Sequence, residues 1–179
     1  MFDIEVIGVK FNQPNIFGDF SYMCKLNECT DSLFIFNDNE EHHHTNNKGG
    51  GNAIMRFYNK YSILEIPISA GIPTGTLKNG GYSKFNSRCK KQIDDSINEI
   101  IELIQKYNYK KIYYSSEFDG RIGTGIFNVN EKVLNYITFK IYNLTNNPIK
   151  IIKLLPNNFY DMNYELDSDF DFDFDSDIE

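Results

Sequence analysis

The stretch KKIYYSSEFDGRIGTGIFNVNEKVLNYITFKIYN, residues 110–143, decides the fold class. It opens at 110–116 on a short run rich in Ile and Tyr, which has the length and composition of a strand. A glycine-rich loop follows at 119–125. Val133, Leu134, Ile137, Ile141 and Leu144 then recur at the spacing of an amphipathic helix over 131–143. Asn128, with Glu131 three residues on, is the expected N-cap. Strand, glycine loop, helix is the building unit of a parallel α/β sheet.

The same unit stands upstream. Residues 32–38, Ser-Leu-Phe-Ile-Phe-Asn-Asp, form an apolar run bounded by polar residues, the pattern of a strand buried on both faces. A low-complexity segment at 40–51 closes on Gly49-Gly50-Gly51, and a helix is expected over 52–60. Between the two units, 63–68 reads as a strand, 70–75 as irregular backbone and 79–81 as a turn. The strongest helical signal covers 86–107, where Ile93, Ile97, Ile100, Ile101 and Ile104 share a face and Asp94, Asp95, Asn98, Glu99 and Glu102 take the wet one. Residues 149–155 read as a last strand, ended by Pro156. At the other end, 2–10 and 20–26 read as an antiparallel pair at one edge of the sheet. The expected architecture is one three-layer α/β/α domain over 1–156 with a mixed, mostly parallel sheet, followed by an acidic disordered tail over 157–179. Parallel strands would bring both glycine loops to one rim.

Charge supports that division. Nine of the 25 acidic residues, and none of the 18 basic ones, lie between Asp161 and Glu179, so the preceding part is near neutral. No stripe of Lys and Arg marks a duplex-DNA binder. No apolar run is long enough to span a bilayer, and the start of the chain does not read as a signal peptide. The three cysteines, Cys24, Cys29 and Cys89, cannot all pair; a soluble protein of a reducing, intracellular compartment is the expectation. Burial is the expected fate of Cys89, although a helix start beside it would lower its pKa.

Each glycine loop is expected to end at a helix N-terminus, where unpaired N–H groups and the helix dipole favour an anion. The alternative is that these glycines only relieve crowding at strand-to-helix connections. Neither loop is followed by the Gly-Lys-Ser/Thr of a P-loop, and the spacing at 120–125 departs from the dinucleotide fingerprint. Nucleotide triphosphatases and nicotinamide dehydrogenases are therefore disfavoured, and no cofactor is expected.

The order of strand, Asn37-Asp38-Asn39, glycine loop, helix, and later strand, Gly123-Thr124-Gly125-Ile126-Phe127, helix resembles the macro domain, an ADP-ribose-binding fold. The resemblance spans about residues 32–144 and is most specific at Gly-Thr-Gly-Ile-Phe. It implies that Asn37, Asp38, Asn39, Gly49, Gly50, Gly51 and the adjoining Asn52 lie near a distal ribose. Gly123, Thr124, Gly125 and Ile126 would cradle a diphosphate, Phe127 would pack on a ribose and Arg121 would stabilise phosphate charge. The family's Asn-Ala-Ala-Asn is here replaced by Asn37-Asp38-Asn39, and Gly18-Asp19-Phe20 is a weak counterpart of its Gly-Asp-Ile.

The implied ligand is ADP-ribose or a related nucleotide. The sequence leaves open whether binding leads to hydrolysis of ADP-ribosyl or phosphate-ester bonds. Asp38 or Asn39 would then position water, with Glu117, Asp119 or Glu41 as base. The other open reading is a non-catalytic interaction or particle-associated protein that keeps the fold, its acidic tail docking on a basic partner. His42, His43 and His44 are the only histidines. Adjacent side chains are expected to diverge, so no metal site is expected there.

Overall fold

The structure, a computed structural model, describes residues 1–59, 66–152 and 163–165. Its strands are β1 (Glu5–Val9), β2 (Ser32–Asp38), β3 (Ser69–Pro73), β4 (Gly75–Thr76), β5 (Gly80–Gly81), β6 (Lys111–Ser115), β7 (Lys150–Ile152) and β8 (Asn163–Glu165). The α-helices are α1 (Phe20–Met23), α2 (Met55–Asn59), α3 (Ser87–Lys106) and α4 (Glu131–Tyr142). One sheet runs in the order β3-β2-β6-β1-β7-β8. The pairings from β3 through β7 are parallel, and β8 joins the far edge antiparallel. The protein is an α/β fold with a five-strand parallel sheet.

The burial of β2 explains the layers. Leu33 and Ile35 join the core that holds Ile93, Ile97 and Ile100 of α3 and Val133, Ile137 and Ile141 of α4. Phe34 and Phe36 face the other way, among Phe20 and Met23 of α1 and Met55 of α2. Alternation thus sends aromatic side chains to one layer and aliphatic ones to the other, which is why this strand has no polar face. Gly8 in β1 answers to its neighbour: a Cβ there would lie 2.7 Å from the Tyr114 hydroxyl and 2.6 Å from Ile151.

Asn86 caps α3 by accepting from the Cys89 N–H (3.0 Å), and the helix ends at Lys106, as the sequence led one to expect within a residue. α4 begins at Glu131, as expected, but its cap stands two residues later than Asn128. Asn130 is the cap, accepting from Lys132 N–H at 2.9 Å.

The N-terminal edge hairpin is overturned. β1 lies inside the sheet, parallel to β6 and β7, with Val6 and Val9 fully buried. Residues 20–23 form α1 instead of a strand. Asp19 caps it, taking the Ser21 N–H at 2.9 Å, and Phe20 and Met23 form its buried face. The strand expected at 63–68 is not borne out in its described part. Residues 66–68 are not strand, 63–65 lie outside the described residues, and β3 forms at Ser69–Pro73, read beforehand as irregular. Its small residues have a steric cause, because Gly71 sits against the Asp38 side chain of β2. Pro73 is tolerated because β3 is an edge. The acidic run beyond Glu165 and Pro156 lie outside the described residues. Among the described residues, no helix is long and apolar enough to cross a membrane.

Candidate functional site

β2 and β6 are adjacent and parallel, so the loops that leave their C-terminal ends begin side by side. Three contacts keep them together. Gly123 N–H donates to the Ser115 carbonyl (2.9 Å), folding the second glycine loop back over the end of β6. The buried Asn52, at the start of the helical segment behind the first loop, donates to Ser115 Oγ (3.2 Å) and Gly18 O (3.1 Å) and accepts from Phe20 N–H (2.9 Å). One amide therefore joins the first loop, the second loop's strand and the loop after β1. Third, Gly125 lies against β2, where a Cβ would sit 3.1 Å from the Asn37 amide nitrogen. That amide makes no hydrogen bond among the described residues.

The second loop is built by its own strand and helix. The fully buried Tyr114 donates to Gly120 O at 2.6 Å, with Tyr142 adding a bond at 3.2 Å, and Thr138 of α4 accepts from Ile122 N–H at 3.1 Å. Burial, then the Tyr142 hydroxyl beside it, holds the Tyr114 phenol protonated, so it remains a donor. Phe127 N–H closes a turn onto Thr124 O (3.1 Å). Gly125 in that turn has φ +59°, a conformation that favours glycine. Ile126 is exposed and Phe127 half-buried. At the first loop, a Cβ on Gly50 or Gly51 would meet nothing within 4 Å.

Neither loop ends on a long helix. Gly51–Ile54 is a tight 3₁₀ turn leading into the short α2, and residues 126–130 separate Gly125 from α4, whose first turn Asn130 caps. The helix dipole expected behind each loop is therefore weak at the first, whose helical segment is short, and displaced from the second. Any anion here is met by loop amides.

Asp38 has both carboxylate oxygens engaged. Oδ1 accepts from Arg56 Nη1 (2.6 Å) and from Asn39 N–H (2.8 Å), and Oδ2 faces His43 Nδ1 at 3.4 Å. Asp38 and Arg56 are nearly sealed from solvent. Arg56 underlies the first loop, since a Cβ on Gly49 would lie 2.5 Å from its Nη2. The buried Asn39 accepts from His42 N–H through Oδ1 (3.0 Å). Glu117 pairs with Lys10 (2.7 Å), and a Cβ on Gly123 would lie 3.6 Å from its carboxylate. Arg121 is turned to Asp119 (2.7 Å) and Glu131 (3.2 Å). Glu41 accepts from Leu77 N–H at 2.9 Å, which keeps its pKa low.

A cavity of about 190 Å³ opens next to this rim, between the β4–β5 hairpin and the start of α3. Glu40, Tyr82 and Arg88 line it. Tyr82 donates to Glu40 Oε1 (2.7 Å) and Arg88 pairs with Glu40 Oε2. Cys89 lies there too, buried and capping its own helix, and burial pushes its thiol up rather than down. All three cysteines are free.

Two groups escaped sequence reasoning. Arg56 sits 18 positions from Asp38, across a loop whose path no local pattern reveals. The histidine rings do not diverge: His43 and His44 lie with centroids 4.3 Å apart. His43 Nε2 is 3.1 Å from Ser96 Oγ on α3. Asp38, His43 and Ser96 thus line up in the order of a hydrolytic triad. Ser96, however, is 2% exposed inside a helix and within bonding distance of Gln92 O (2.9 Å), so it cannot reach a substrate. Comparison of the chain with protein-family models, with curated proteins and with solved structures found no match.

Proposed function

We propose that the protein binds ADP-ribose or a related nucleoside diphosphate in the cleft between the glycine loops at 49–51 and 123–125. The observation that carries this reading is the juxtaposition of Gly125 with Asn37, tied below by the Asn52–Ser115–Gly123 links. Glycine at 50 and 51 leaves room for a ligand beside the backbone, and the positive φ of Gly125 would let neighbouring loop amides turn toward the same ligand. Phosphate recognition then comes from amides, with the Asn37 side chain and the Phe127 ring reading the sugar.

Two further observations favour a polar ligand. Ser116 Oγ, at the root of the second loop, and Arg56 Nε, beneath the first, are buried without a hydrogen-bond partner among the described residues. Buried polar groups without partners are rare and call for water or ligand nearby. For hydrolysis, Glu117 is the base that this geometry favours, because its carboxylate lies closest to Gly123. Asp38 is a positioning residue, since both of its oxygens are committed.

Isothermal calorimetry with ADP-ribose, ADP and ribose 5-phosphate tests the proposal. The expected order of affinity is ADP-ribose, then ADP, then ribose 5-phosphate, because only the first fills both halves of the cleft. Absence of heat at millimolar ADP-ribose, with a cooperative thermal transition proving the protein folded, would reject it.

A further inference from the structure

The His43–His44 pair has an organisation that the nucleotide cleft does not use. We propose that His43, His44 and Glu99 form a site for a divalent transition metal, best matched by Zn²⁺. The ligand atoms of these three residues lie within 4.8 Å of one another. His44 Nε2 is 3.5 Å from Glu99 Oε1, and His43 Nε2 is 3.9 Å from Glu99 Oε2. Ligands about 2.0–2.1 Å from a tetrahedral zinc stand roughly 3.3–3.5 Å apart, so the cluster is close to coordination spacing before any movement. Two imidazoles and one carboxylate suit Zn²⁺ better than Mg²⁺ or Ca²⁺, which demand oxygen.

The second observation is the setting of His43. Its side chain is about nine-tenths buried, and Asp38, itself sealed, lies 3.4 Å from Nδ1. A carboxylate there fixes the proton on Nδ1 and leaves the Nε2 lone pair facing Ser96, Glu99 and His44. This is the carboxylate–imidazole arrangement that supports metal-ligating histidines. Ser96 cannot fully answer that lone pair, because its single O–H is also within reach of Gln92 O. His44 and Glu99 are exposed enough to admit an ion, and a tetrahedral ion would keep one position for water. The ion would pin residues 39–44 to α3, and through Asp38 and Arg56 it would brace the floor under Gly49.

The test uses the full chain, stripped by chelator and titrated with Co²⁺, whose visible absorption reports tetrahedral geometry, and then with Zn²⁺ by calorimetry. A single tetrahedral Co²⁺ displaced by Zn²⁺ is expected. His44→Ala and Glu99→Gln each remove a ligand and should weaken Zn²⁺ binding by at least the roughly 10–100-fold that loss of an outer-shell partner costs. Both residues are exposed, so these variants should keep the unmodified thermal transition of the metal-free chain. Asp38→Asn should weaken binding by a similar factor if it folds, but the proposal stands or falls on the two exposed variants. Pale, octahedral Co²⁺ unaffected by His44→Ala would put the ion on other ligands and overturn the proposal. So would folded protein that binds neither ion. Nucleotide is absent throughout, so the outcome is independent of the nucleotide reading.

Discussion

The two glycine loops leave neighbouring parallel strands and share an anchor in Asn52, yet they are built by different means. The second loop is held by short-range bonds to its own strand and helix: Gly123 to Ser115, Gly120 to Tyr114, Ile122 to Thr138. The first is held from beneath by a buried ion pair, Asp38 with Arg56, and its Gly50 and Gly51 stand in open space. One loop is set by local hydrogen bonding. The other is propped by charges that cannot be separated without a large cost. A ligand between them would meet a rigid wall on one side and an adaptable wall on the other.

The sharpest way to break this contrast is to remove one arginine at each side: Arg56 of α2, beneath the first loop, and Arg121 within the second. Arg56→Ala strands the Asp38 carboxylate in the interior and should lower stability by about 3–5 kcal/mol, read as a fall in urea midpoint. Arg121→Ala removes an exposed guanidinium from Asp119 and Glu131 and should cost at most about 1 kcal/mol. Equal losses would mean that the buried pair does not distinguish the first loop. Asn52→Ala comes next. It leaves Phe20 N–H and Gly18 O buried without their partner and should cost about 1–3 kcal/mol while loosening both loops together.

Tyr114→Phe should act on the second loop alone. Gly120 O keeps its bond from Tyr142, so a loss of about 1 kcal/mol is expected, with faster hydrogen exchange confined to residues 120–125. The smallest effect lies away from both loops. Burial raises the Asp94 pKa, but Lys90, Tyr136 and Lys140 outweigh it and hold the carboxyl at about 2, below its ordinary 3.8. A depressed carboxyl contributes stability that is complete above about pH 4 and disappears as pH falls towards 2. Solvent screens these pairs, so Asp94→Asn should remove less than about 1 kcal/mol at neutral pH and flatten the acid limb of the stability curve.

The same contrast shows what could be read in the chain beforehand. β2 and α3 were legible because each carries its burial in its own pattern: an unbroken apolar run in one, isoleucines at helical spacing in the other. β3 was not, because its small residues answer to Asp38 on a neighbouring strand. The place of β1 was lost for a related reason: pairing partners more than 100 residues away leave no trace in a nine-residue window. In the site, the glycines of both loops were visible. What supports them was visible only in part, since Tyr114 lies in the strand before its loop while Arg56 and His43 act through residues distant in sequence. Ser96 and His43 are 53 positions apart, and neither carries a local signal of the other.

The central claim is that the two loops act on one ligand. It is tested most directly by a double-mutant cycle on ADP-ribose affinity using Gly50→Glu and Gly125→Asp. Gly50 has open space around it and an ordinary backbone conformation, and aspartate tolerates positive φ better than most residues, so both variants should fold. Each should weaken binding by more than about 30-fold, and the double variant should lose far less than the sum of the two, because the second charge enters a cleft already closed. Additive losses, or a loss confined to one loop, would contradict the account.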